Sequence, residues 1–65
     1  MKQSNSLVRL PDVIRMSGLS RATIYRLEAA GVFPARVRIS QRTVGWYLHQ
    51  VEEWLTNRAP VRTEQ

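Results

Sequence analysis

A chain of 65 residues admits one domain with one modest core, because a chain this short buries only about 60% of its unfolded surface, and a large enclosed active site is excluded. With no cysteine, neither a disulfide framework nor a thiolate zinc site can reinforce that core. Ten lysines and arginines against five acids give a formal charge of +5, and nine of the ten bases are arginine, the side chain suited to bidentate phosphate and guanine contacts.

In chain order, residues 1–6 (Met1-Lys2-Gln3-Ser4-Asn5-Ser6) are expected to be a disordered lead-in: the segment is polar and has no signal-peptide core. No apolar run approaches the ~20 residues that span a bilayer, so the chain is expected in the cytosol, with no membrane partner. Leu7-Val8-Arg9-Leu10 is a short apolar piece running into Pro11, whose fixed φ suits the first position of a helix. That helix is expected over about residues 11–17, burying Val13, Ile14 and Met16. Gly18 suits the left-handed position that closes it. Ser20 can then cap a second helix by accepting a hydrogen bond from the N–H of Ala22 or Thr23, with Leu19 and Ile24 at the spacing of a hydrophobic staple. The second helix is expected from Arg21 to about Ala30, ending at Gly31. At ~100° per residue, Ile24 and Leu27 point inward, while Arg21, Ala22, Tyr25 and Arg26 take the opposite half.

Val32-Phe33-Pro34-Ala35 is expected to be extended, since a residue before proline avoids the helical region, with Phe33 plugging the core. Arg36-Val37-Arg38-Ile39 alternates at the strand period, and Thr43-Val44-Gly45-Trp46 can return across Ser40-Gln41-Arg42 as a hairpin. A third helix, roughly Leu48 to Arg58, follows from Leu48, Val51, Trp54 and Leu55 at helical spacing, with Glu52 and Glu53 on its other side. Trp46 and Trp54 are expected in the core, not as base-stacking platforms. The three glycines are read as punctuation, the lone His49 as a surface side chain, and residues 60–65 as a flexible tail.

The fold class expected is mainly α with a small β-hairpin: a winged helix-turn-helix of three helices plus a wing, over residues 7–59. Its usual target is double-stranded DNA. An α-helix fits the major groove, and long donors near its N-terminus reach base edges, so Arg21 and Arg26 are the candidate base contacts. Ser20 and Thr23, beside free N–H groups, suit phosphate, with Ala22 and Tyr25 on the same surface. In the wing, Arg36, Arg38, Ser40, Gln41 and Arg42 are placed to track phosphate or enter a minor groove. Catalysis has no support: Glu52 and Glu53 are adjacent and cannot share one helix face. The single histidine also lacks an orienting acid. No glycine-rich loop cradles a nucleotide. No enzyme, cofactor, metal or small-molecule substrate is expected.

Four landmarks together carry a resemblance to a known family. They are Leu10-Pro11-Asp12-Val13, the run Gly18-Leu19-Ser20-Arg21-Ala22-Thr23-Ile24-Tyr25-Arg26-Leu27, then Gly31-Val32-Phe33-Pro34, and finally Arg42-Thr43-Val44-Gly45-Trp46 followed by Val51-Glu52-Glu53-Trp54-Leu55. Over residues 9–58 the chain resembles the AlpA-like phage and prophage regulators, related to excisionases and to MerR-type winged-helix domains. The resemblance implies a DNA-binding transcriptional regulator. The alternative in the same fold is an excisionase that bends DNA for an integrase, and one of another class is a small inhibitor that binds a regulator through Tyr47, Leu48 and the third helix. It also implies integrase or the transcription machinery as partners. One short recognition helix and one wing cover few base pairs, so self-association on DNA is expected. The chain departs from the family where relatives often place a polar cap before the last helix, having Tyr47-Leu48-His49 instead.

Overall fold

Residues 6–59 are described by a computed structural model. They form β1 (Leu7–Val8), α1 (Leu10–Ser17), α2 (Arg21–Ala29), β2 (Val37–Ser40), β3 (Thr43–Tyr47) and α3 (Leu48–Thr56). The expected lead-in and tail lie outside the described residues, apart from Ser6.

Helix α1 starts one residue before Pro11, with Arg9 extended at its N-cap. The Asp12 carboxylate accepts the Arg9 N–H and pairs with Arg15, so an acid sits in the first turn, where the helix dipole favours it. The turn that follows is held from both sides. Gly18 adopts φ 73° and donates its N–H to Ile14 O at 2.8 Å. The Ser17 hydroxyl donates to Val13 O (2.7 Å) and accepts from Leu19 N–H (3.1 Å). Ser20 then caps α2, its Oγ accepting the Thr23 N–H at 3.2 Å. At the far end Gly31, with φ 80°, closes α2 through Val32 N–H to Leu27 O and Gly31 N–H to Glu28 O, both 3.0 Å, the paired bonds of a Schellman ending.

The expected hairpin is present, pairing Val37 with Gly45, Arg38 with Val44 and Ser40 with Thr43, with an irregularity between Arg38 and Ser40. A third strand joins it. Leu7 pairs antiparallel with Tyr47 and Val8 with Trp46, giving the order β1-β3-β2. Gly45 is therefore more than punctuation. A Cβ there would sit 2.6 Å from the Val8 carbonyl oxygen and 2.8 Å from Ile39 Cδ1, too close for either to be tolerated unmoved, so glycine lets both neighbours close on the central strand.

Strand β3 runs directly into α3, and Tyr47 at the N-cap offers no side-chain hydrogen bond. A backbone bond holds this start of the helix: Leu48 N–H donates to Ser6 O at 2.8 Å. The chain before β1 thus satisfies one of the orphan donors at the start of α3, the N–H of its first residue. Helix α3 ends at Thr56, two residues short of the expected limit, as Asn57 leaves helical geometry.

Val13, Ile24, Phe33, Trp46 and Val51 form the buried core, with a residue from each helix, from the central strand and from the loop after α2. Phe33 meets Trp46 edge-on at 6.3 Å and Trp54 at 4.7 Å between ring centroids. Trp54 packs against this core at its edge. It is half-buried: its Nε1 donates to Val32 O and the Arg58 guanidinium lies over its ring at 4.0 Å. Among the described residues no helix is long and apolar enough to cross a membrane.

Candidate nucleic-acid interface

The first turn of α2 is where the turn chemistry places polar groups in the open. Arg21, Ala22 and Arg26 are exposed, while Ile24 between them is buried, so the inward residue fixes the helix and leaves these three outward. Ser20 and Thr23 form a small relay. The Ser20 Oγ accepts the Thr23 N–H and donates its proton to Thr23 Oγ1 at 2.9 Å. Ser20 is thus committed to the cap, with the Thr23 hydroxyl beside it. The N–H groups at the start of α2 add positive partial charge in the same place.

Tyr25 departs from the free face expected of it. It is half-buried and packs against the core, with the Arg36 guanidinium over its ring at 4.8 Å. Arg36 is also tied to Glu28. Its backbone N–H donates to Glu28 Oε2 at 2.8 Å, and its Nε lies 3.6 Å from the same oxygen. These contacts seat the base of the wing against the last turn of α2. The sequence does not signal the Glu28 contact, because nothing marks an eight-residue separation across an irregular loop.

At the other end of the wing, the Arg38 guanidinium folds back over the turn, Nη1 donating to Gln41 O at 2.9 Å. Ser40, Gln41 and Arg42 are exposed. Among the described residues, Arg21, Arg26, Arg38 and Arg42 form no ion pair, and the two ion pairs present are Asp12 with Arg15 and Glu28 with Arg36. Uncompensated arginines thus lie on α2 and on the wing that is seated against it.

The outer side of α3 is different in character. Glu52 and Glu53 are exposed there, and a shallow groove is lined by Pro34, Gln50, Glu53, Trp54, Asn57 and Arg58. This surface mixes both signs of charge and Arg58 already occupies the face of Trp54. Among the described residues no group of three histidine, cysteine or acidic side chains is placed to hold a metal ion.

Comparison with known proteins gives one family. The profile described as prophage CP4-57 regulatory protein (AlpA) matches residues 6–59. The chain is 37% identical over 60 residues to the DNA-binding transcriptional activator AlpA of Escherichia coli (strain K12), a match covering 80% of this chain and 83% of that protein. It is 39% identical over 51 residues to the uncharacterized protein ORF88 of Enterobacteria phage P4, covering 78% of this chain and 58% of that protein. The chain thus matches little more than half the length of the phage P4 relative.

Proposed function

We propose that this chain, which belongs to the AlpA family of prophage regulatory proteins, is a sequence-specific DNA-binding regulator of transcription. The observation that carries the reading is the set of exposed arginines on α2 and on its attached wing that form no ion pair among the described residues. In this reading α2 enters the major groove. Arg21 and Arg26 read base edges there, with Ala22 beside them. The Thr23 hydroxyl and the first N–H groups of α2 take phosphate oxygens, with Ser20 capping that end. Ser40, Gln41, Arg38 and Arg42 follow the backbone or the adjacent minor groove.

The name of the E. coli relative, an activator, supports activation as the sign of regulation. Because one module of this kind buries only about 600 to 1,000 Å², we place more than one copy on a natural site. We assign the chain no catalytic role, and we place it at the DNA of the bacterial cytoplasm, where the transcription machinery is the partner that an activator requires.

The test is a salt titration of duplex binding. Counterion release makes log K fall linearly with log salt, by about 0.9 for each phosphate neutralised. Affinity for a duplex is therefore expected to drop steeply between about 50 and 200 mM salt. Arg42→Ala should weaken binding to every duplex and make the slope shallower by about 0.9. Wild-type affinity that ignores salt would end the reading. A slope that Arg42→Ala leaves unchanged would remove Arg42 from the phosphate contacts.

A further inference from the structure

Glu28 stands in the last turn of α2, near the negative end of the helix dipole, where a carboxylate is disfavoured. What compensates it is local. One carboxylate oxygen accepts the backbone N–H of Arg36 at 2.8 Å and faces the Arg36 Nε at 3.6 Å, while the same guanidinium rests on Tyr25 at 4.8 Å. The Glu28 side chain is 15% exposed and that of Arg36 41%, so the pair lies partly out of water, where charges are screened less than on the open surface. The backbone bond falls one residue before Val37, the first residue of β2. Together with the guanidinium, which bridges Glu28 and Tyr25, it fixes where the wing leaves α2.

We propose that Glu28 is a positioning residue for DNA recognition: through Arg36 it sets the wing against α2, and it keeps the Arg36 charge off the phosphate backbone. This rests on the DNA-binding reading above. Two consequences separate it from a merely basic wing. Arg36, already neutralised, adds nothing to the number of phosphates contacted. The tether fixes the register between the base-reading side chains of α2 and the phosphate-gripping tip of the wing, so it contributes preference for one sequence over another and little to overall affinity. Arg42, with no such partner among the described residues, does the opposite.

The experiment measures binding to two duplexes, one selected from a random pool by the wild-type protein and one a scrambled version of it, across a range of salt. Arg36→Ala is expected to leave the salt slope on the scrambled duplex unchanged while lowering the ratio of selected to scrambled affinity. Glu28→Gln keeps a carbonyl to accept the Arg36 N–H but frees the guanidinium. It should strengthen binding to the scrambled duplex about five-fold near 0.15 M salt, as one added phosphate contact does, with a slope steeper by about 0.9. The selected-to-scrambled ratio should fall here too. Circular dichroism establishes that each variant is folded, and Arg36→Gln replaces Arg36→Ala if the latter is not. If Arg36→Ala makes the slope shallower by about 0.9, as Arg42→Ala does, Arg36 grips phosphate in the wild type and the proposal is overturned. An unchanged ratio in both variants overturns it as well. In either case a salt-dependent wild type leaves the DNA-binding reading standing, whereas a wild type without salt-dependent binding removes that reading and this one with it.

Discussion

Trp46→Ala is expected to unfold most of the protein at room temperature. Trp46 is fully buried, lies on the central strand opposite Val8, meets Phe33 edge-on, and donates its Nε1 proton to Pro34 O at 2.9 Å. Truncation removes the largest fully buried side chain of the core and leaves the Pro34 carbonyl without that donor. Removing a buried aromatic costs about 3–5 kcal/mol, and a core of this size rarely supplies more than about 3–5 kcal/mol in total. The far-ultraviolet circular dichroism spectrum should lose its helical signal, and DNA binding should vanish with it as a secondary effect. Trp46→Phe, which keeps most of the apolar volume and loses the donor, should retain the fold with a lower melting temperature. A native spectrum for Trp46→Ala with binding abolished would instead place the indole on the binding surface.

Arg21→Ala is expected to leave the fold intact and to blunt sequence preference. Arg21 is exposed at the first position of α2 and forms no ion pair among the described residues, so its loss removes no contact that holds the core. A guanidinium bidentate to guanine O6 and N7 supplies about 1–3 kcal/mol of discrimination against a wrong base, or roughly 5- to 150-fold in affinity ratio. Measured on a selected duplex and its scrambled version, the ratio should fall by that factor. A lowered affinity with an undiminished ratio would make Arg21 a phosphate contact and leave base reading to Arg26.

The parts of this structure that were legible in the sequence are those governed by neighbours along the chain. Gly18, Ser20 and Gly31 announce the turn and both ends of α2 because capping is a matter of three or four residues. Phe33 and Trp46 were legible as core. Strand β1 was not. Two residues carry no periodicity, and what makes Leu7–Val8 a strand is its pairing with Tyr47 and Trp46, some forty residues away in sequence. The same distance hides the Ser6 carbonyl that accepts the first N–H of α3, and it hides the approach of the Val8 carbonyl to Gly45. Trp54 has the helical spacing of a core residue, yet it lies at the end of α3 where the core thins, under Arg58.

For the site, residue type and helical phase place Arg21, Ala22 and Arg26 outward. They do not distinguish a cation that is free from one that is held. Arg36 reads from the sequence like Arg38 or Arg42, and only the fold brings Glu28 and Tyr25 to it. Tyr25 itself was assigned to the open face by angle alone. Its ring is wide enough to reach the core from there, and Arg36 covers it.

The most direct measurement is a map of backbone amide chemical shifts on titrating duplex DNA into the folded protein. We expect the largest changes over residues 20–26 and 38–42, with the outer side of α3 around Gln50, Glu53 and Asn57 little affected. Changes concentrated on α3, with α2 and the wing undisturbed, would contradict DNA recognition by this surface.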